Sequence, residues 1–257
     1  MHRPKEVVLI GRALSGKSSV LRFLATAYPA ATLVTERDDF KHRGLPMCFE
    51  IGGPDSPSVE IGPRDRKPTG LWNRLWRKRP RREASDLDYR EIHRSLDDLK
   101  ERSGRINIRT TAGSVFYWRE QLKEDLVRAD EIIWVLDVQP NFLSSAEIHG
   151  VNQASNLKFL LACLAISKEL EGGFGGSPWS LLVTKRDLLD KGSTVSPKVL
   201  GWPLATPLPS DRFEVSTGRL DGWPEFVDSI GRPKPSFQSL LEVAGQFEQR
   251  LSVGRNP

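Results

Sequence analysis

Residues 6–19 read EVVLIGRALSGKSS, and this stretch decides the fold. The apolar run Val7-Val8-Leu9-Ile10 breaks at Gly11, and Gly16-Lys17-Ser18 completes the spacing G-x-x-x-x-G-K-S of a phosphate-binding loop. A buried strand aims such a loop, and its glycines let backbone N–H groups turn inward around a polyphosphate. Lys17 brings a point charge to the outer phosphates, and the Ser18 hydroxyl is a magnesium ligand. Helix-forming residues follow from Ser19, so the anion is expected at a helix N-terminus, where unpaired N–H groups and the macrodipole favour negative charge. The candidate phosphate-binding set is Gly11, Ser15, Gly16, Lys17, Ser18 and Ser19. The competing reading is a Gly/Ser turn that happens to precede a helix.

Working outward, 257 residues fit one large domain, and 38% hydrophobic with 28% charged residues is ordinary for a globular chain. No apolar run approaches bilayer length, and the segment before the loop is too short for a signal peptide, so a cytoplasmic protein is expected. Cys48 and Cys163 lie among apolar neighbours without metal-ligand spacing and are expected as buried thiols. The four histidines are scattered, which gives zinc no support. The net charge of +5 is unevenly placed: residues 64–82, RDRKPTGLWNRLWRKRPRR, hold nine Lys/Arg against one Asp.

Strand and helix patterns alternate along the chain, which predicts a mainly parallel sheet with helices on both faces. After the first helix, residues 30–45 are polar and without a clear period. PMCFEIGG and SVEIG, joined by a Gly/Pro-rich turn, read as a hairpin. Residues 64–104 read as an insertion between core elements, ending in an amphipathic helix with Leu87, Ile92, Leu96 and Leu99 at helical spacing. RINIRT is an alternating strand, and VFYWREQLKEDLVRA a helix. ADEIIWVLDV and SPWSLLVT are apolar enough to be strands buried on both faces. A long helix is expected near 151–170, loop over the Pro-rich 197–209, a short strand at RFEVS, and a closing amphipathic helix at SFQSLLEVAGQFEQRL.

At the end of the SPWSLLVT strand stands Thr184-Lys185-Arg186-Asp187, which matches the [N/T]-K-x-D box of guanine-nucleotide-binding proteins. A carboxylate at Asp187 can accept from both N1–H and the exocyclic amine of guanine. Adenine offers an acceptor in place of the first donor and would leave a buried carboxylate unpaired. The Lys185 stem would lie along the base plane. A surface strand end rich in Lys and Asp is the plainer reading of these four residues. Farther on, Glu214-Val215-Ser216-Thr217 resembles the E-x-S-A-K loop, whose backbone contacts guanine O6. In order, GRALSGKS, TTAG, TKRD and EVST resemble the boxes of Ras-like small GTPases, over most of the chain apart from 64–104.

The resemblance implies a single G domain over 1–257, GTP or GDP with Mg2+ at the strand ends, and hydrolysis of the β–γ anhydride. Lys17 and Gly113 would act on the γ-phosphate, Ser216 and Thr217 would join the base contacts, and Ser18 and a switch threonine, Thr35 ahead of Thr32, would hold magnesium. Three departures matter. The Asp of D-x-x-G is Thr110, which lacks the charge to hold a metal-bound water firmly. The position of the water-orienting Gln is Ser114, too short for that role. Ala13 and Leu14 replace a glycine of the loop. Slow turnover is therefore expected, aided by a partner or by an internal arginine, Arg12 or Arg37. A pseudo-GTPase scaffold, with a structural nucleotide or none, is the alternative, and a P-loop kinase or ATPase is argued against by TKRD. A protein effector is expected. Trp72 and Trp76, four apart among basic residues, suggest docking to an anionic membrane surface or a protein, ahead of nucleic acid, or else a solvated loop.

Overall fold

The computed structural model describes residues 3–12, 15–35, 47–52, 88–111, 119–138, 145–170, 176–189, 194–202, 208–216 and 219–253. Seven strands form one sheet: β1 (Lys5–Ile10), β2 (Thr32–Thr35), β3 (Met47–Ile51), β4 (Ile106–Thr110), β5 (Glu131–Asp137), β6 (Trp179–Thr184) and β7 (Arg212–Glu214). Their order is β2-β3-β4-β1-β5-β6-β7, with β4, β1, β5, β6 and β7 parallel and β2 and β3 joined antiparallel at one edge. This is the expected α/β class, a mainly parallel sheet with helices on both faces. The chain leaves β1 for the edge strand β2, works back through β3 to β4 beside β1, and then crosses to β5 on the other side, so the crevice beyond the C-terminal end of β1 is the point where strand order reverses.

Alternation along the strands explains why both faces are covered. Val8, Ile10, Ile132, Trp134, Leu136, Leu181 and Val183 enter one core, while Val7, Leu9, Ile106, Ile108, Ile133, Val135 and Leu182 enter the other. Every residue of β5 and β6 is consequently buried. Helices α3 (Arg119–Arg128), α4 (Ser145–Glu169) and α7 (Phe237–Val253) bring Leu126, Leu160 and Leu241 to the first core. Helices α1 (Lys17–Ala27), α2 (Arg90–Ser103) and α6 (Trp223–Ser229) bring Leu24, Leu96 and Phe226 to the second. A short helix, α5 (Pro197–Leu200), carries the chain to Trp202, which packs against Trp134 with ring centroids 5.1 Å apart.

Several expectations change. The polar stretch after α1 contains β2, a four-residue edge strand whose Thr-Leu-Val-Thr is too short to show a period. It is β2, from the N-terminal side, that pairs antiparallel with β3; the strand expected at 58–62 lies outside the described residues, as does the basic stretch 64–82. The later part of the segment expected as an insertion is α2, and its Ile92, Leu96 and Leu99 are fully buried. It is integral to the second core, packing on α6. Part of the Pro-rich stretch is α5 rather than loop. Cys163 is buried as expected, but Cys48 is half-buried, its thiol 3.7 Å from the Glu50 carboxylate, because β3 is covered only in part. Burial pushes the Cys48 thiol up to about 12, with Arg109 acting in the opposite sense.

Because Leu96 is completely enclosed, Leu96→Ala is expected to lower the unfolding free energy by about 3 kcal/mol, within the range of core Leu truncations. Urea unfolding followed by far-UV dichroism measures this, and a change under ~0.5 kcal/mol would mean that α2 stands apart from the core.

Candidate functional site

The loop that follows β1 is pressed against two neighbouring strands. Gly11 has φ +147, and a Cβ there would stand 2.4 Å from the Val135 carbonyl oxygen. Gly16 has φ +99, and its Cβ would meet the Thr184 hydroxyl at 2.8 Å. Both positions therefore require glycine on conformation and on space. Gly16 also opens α1 with no side-chain cap and no acidic residue in the first turn, which leaves the helix N-terminus available to an anion.

Lys17 turns back over this loop. Its ammonium donates to the carbonyls of Gly11 at 2.6 Å and Arg12 at 2.9 Å. Burial pushes it down to about 8, with nearby Asp137 acting upward and Arg12 downward. At neutral pH it is still mostly charged. Ser18 follows half-buried and Ser19 exposed, both in the first turn of α1. The Ser15 hydroxyl is buried with no hydrogen-bond partner among the described residues.

The second element comes from β6. Thr184 ends that strand, and its hydroxyl donates to the Ser15 carbonyl at 2.6 Å, tying the TKRD box to the phosphate loop. Lys185 has φ +60, and a 3-10 turn over Arg186–Leu188 follows, placing Asp187 at the surface. Arg186 is held by Glu214 on β7, its Nε donating to the carboxylate at 3.1 Å.

The third element is the chain leaving β7. Val215 N–H donates to the Val183 carbonyl, and Arg186 N–H to the Val215 carbonyl, so the two strand exits run side by side. Ser216 is 3% exposed, and its hydroxyl has no partner among the described residues. Trp223, the first residue of α6, donates its indole N–H to the Ser216 carbonyl at 2.8 Å and stacks on Phe23 of α1, centroids 4.0 Å apart and planes 18° apart.

These three exits enclose a cleft of ≈ 240 Å³. Gly16, Ser19 and Val20 line one side, Thr184, Lys185, Asp187 and Leu188 another, and Val215, Ser216 and Trp223 the rest. An apolar floor of Val20, Leu188, Val215 and Trp223 under a rim of polar groups suits a flat ring carrying an anionic tail. The unpartnered Ser216 hydroxyl on the wall and the uncapped helix end are consistent with a polar ligand there.

Of the residues expected from sequence, Gly11, Ser15, Gly16, Lys17, Ser18, Ser19, Thr184, Lys185, Asp187 and Ser216 gather at this end of the sheet. Thr35 does not join them. It ends β2, and with β3 and β4 intervening it lies roughly 14 Å from β1 at the usual strand spacing. Thr32 begins the same edge strand. Gly113, Ser114, Thr217 and Arg37 lie outside the described residues. Thr110 ends β4 beside Leu9 and is buried. Arg12 is not extended into the cleft as an internal arginine; its guanidinium donates to Asp137 at 2.6 Å. Sequence does not single out Asp137 or Trp223, because a lone Asp at a strand end and a lone Trp belong to no spaced pattern. Among the described residues no three His, Cys, Asp or Glu side chains converge to hold a metal.

No family profile and no curated protein matches the sequence. Among solved structures the chain is similar to the signal recognition particle receptor SRb-GTP/SRX complex from Chaetomium thermophilum, at 14% identity and a TM-score of 0.38, covering 74% of this chain and 73% of that one. It is also similar to the G domain of the FeoB iron transporter of T. maritima, at 15% identity and a TM-score of 0.37, covering 96% of this chain and all of the other.

The Lys17 environment sets a pH dependence. Its folded value of about 8 lies below the ordinary 10.5, so between these limits the unfolded chain binds more protons and stability rises with pH. The contribution is present above 10.5 and lost as pH falls through 8, where holding a buried ammonium costs about 3 kcal/mol at most. Lys17→Met is therefore expected to be more stable than the parent chain at pH 7, with an advantage that shrinks from pH 8 to 10.5. Urea titrations across that range test this, and a pH-independent difference would show that the ammonium is solvated.

Proposed function

We propose that the cleft binds a guanine nucleotide and that the protein works as a molecular switch or assembly regulator, with slow or partner-dependent GTP hydrolysis. The observation that carries this reading is the 2.6 Å bond from the Thr184 hydroxyl to the Ser15 carbonyl. It ties the phosphate loop, whose Gly16 lines the cleft, to the strand end that leads to Asp187 on the opposite side.

In this reading the loop amides and the N-terminus of α1 receive the phosphates, and Lys17 leaves the two carbonyls that hold it to neutralise the outer ones. The base lies over Val20, Leu188 and Trp223, and Asp187 accepts from its N1–H and amine. Adenine presents an acceptor to the same carboxylate, which supports guanine over ATP-type ligands. Ser18 is the residue that would hold magnesium, which when bound neutralises phosphate charge and orients the γ-phosphate. The chain supplies little more to the ion: Thr110, at the place of the family's aspartate, is neutral and buried. That same residue favours the second reading, a pseudo-GTPase scaffold that retains nucleotide without turning it over. For the basic stretch 64–82 we propose docking to an anionic membrane surface or an effector.

Chromatography of the nucleotide released on denaturing the purified protein is expected to show GDP or GTP. Asp187→Asn is expected to weaken GDP binding on the order of a hundredfold and to gain xanthine diphosphate, whose oxygen at the amine position pairs with the new amide. Guanine preference that survives in the variant would overturn the base assignment, and recovery of adenine nucleotide would overturn the reading itself. Phosphate release in single-turnover assays separates the switch from the scaffold.

A further inference from the structure

One carboxylate stands behind both halves of the cleft. Asp137 ends β5, and its side chain is 1% exposed. One of its oxygens accepts from Arg12 Nη2 at 2.6 Å, the other from Lys185 Nζ at 2.8 Å. Arg12 belongs to the phosphate loop, and its carbonyl is one of the two acceptors that hold the Lys17 ammonium. Lys185 belongs to the base-reading box, two residues before Asp187, and among the described residues it is the one non-glycine with positive φ, at +60.

That backbone conformation is unfavourable for a residue with a Cβ and persists where the surroundings hold it. Two hydrogen bonds fix the turn just after Lys185, from Arg186 N–H to the Val215 carbonyl and from Leu188 N–H to the Lys185 carbonyl. The Lys185 side chain is held from the other direction, by Asp137. The turn decides where Asp187 points, because only Arg186 separates the two residues.

We propose that Asp137 is a positioning residue for base recognition: by bridging Arg12 and Lys185 it holds the turn that presents Asp187, and it aligns the base reader with the phosphate loop. The proposal rests on the guanine-nucleotide reading above and names a determinant of its specificity. It differs from a purely structural role for the ion pairs. A structural carboxylate would change stability and leave the choice of base alone, whereas a positioning one changes the choice of base. It also assigns Lys185 a duty for its ammonium, separate from the apolar stem that lies along the ring.

The readout is the ratio of GDP to ADP affinity, measured by displacement of a fluorescent guanine diphosphate from the full chain. Ribose and phosphate contacts are shared by the two ligands, so they cancel in the ratio. Asp137→Asn keeps the shape and removes the charge, leaving Arg12 and Lys185 to repel one another across the gap. The ratio is expected to fall at least tenfold. Lys185→Met keeps the stem and removes the ammonium, and a fall of similar size is expected. Because the two residues act through one bridge, the double variant is expected to lose no more than the larger single loss. Should Asp137→Asn fail to fold, Lys185→Met decides, since that side chain is 36% exposed and its loss does not empty the core. A parent protein that binds ADP as tightly as GDP overturns the guanine reading and this proposal with it. A parent preference for GDP that either folded variant retains within threefold overturns the proposal alone.

Discussion

The close approach of a loop backbone to two neighbouring strands is the constraint on which this molecule depends. The loop after β1 lies directly on the ends of β5 and β6, with the Val135 carbonyl and the Thr184 hydroxyl occupying the space that side chains at 11 and 16 would need. Such contact is available only where the strands are parallel and adjacent, so their C-terminal ends converge, and where the sequence provides glycine at both points. Once the loop is there, other contacts follow from its position. The Thr184 hydroxyl reaches the Ser15 carbonyl, the Lys17 ammonium folds back on the loop's own carbonyls, and the first turn of α1 opens into the cleft. The burial of β1, β5 and β6 on both faces keeps those strand ends from shifting relative to one another, because a displaced strand would expose two apolar surfaces.

Charge is distributed about β5 in a way that separates anchoring from recognition. The strand starts at Glu131, fully buried, which accepts from the Gly231 N–H at 2.7 Å and pairs with Lys5 at 3.1 Å and with Lys234. These bonds tie the link between α6 and α7 to the base of the sheet. The strand ends at Asp137, also enclosed, which pairs with Arg12 and Lys185 of the site. Buried ion pairs contribute little net stability compared with apolar residues of the same size, yet breaking one is costly because a charge is left unpaired. Their effect is therefore geometric: each fixes the position of segments that apolar packing alone leaves free to slide. At the lower end the segments fixed are a linker and β1; at the upper end they are the two lips of the cleft.

How much of this could be read beforehand depends on how local each signal is. The strands β1, β5 and β6 announce themselves as apolar runs, and the loop between β1 and α1 by its glycine and lysine spacing, because these features depend on neighbours in sequence. The TKRD box could be placed for the same reason. What escaped depends on distant partners. The edge strand β2 is four residues with threonine at both ends, and it forms a strand because β3 offers it a ladder, not because of a period of its own. Helix α2 shows as an amphipathic pattern, but nothing local says that Ile92, Leu96 and Leu99 meet α6. Asp137 and Trp223 acquire their roles through Arg12, Lys185, Phe23 and Ser216, contacts that span 7 to 200 positions of sequence. Strand pairing places Thr35 at the end of the edge strand β2, with β3 and β4 between it and β1.

The exit of β4 bears on which of the two proposed modes the cleft serves. Thr110 is 1% exposed, and the next residue, Thr111, donates both its N–H, at 3.0 Å, and its hydroxyl, at 3.3 Å, to the Leu9 carbonyl. The end of β4 is thereby fastened to β1 just below the phosphate loop. A carboxylate at this exit would bring a negative charge for a metal or its water; a threonine brings a hydroxyl and no charge. Under the guanine-nucleotide reading, retention then rests mainly on the loop amides, Lys17 and the base contacts, and comparatively little on magnesium. Those groups can meet a diphosphate as well as a triphosphate. A site that holds its ligand by such groups favours occupancy over turnover, because stabilising ground state and transition state alike does not speed the chemical step. Under that reading the described residues favour keeping a nucleotide in place over accelerating its hydrolysis.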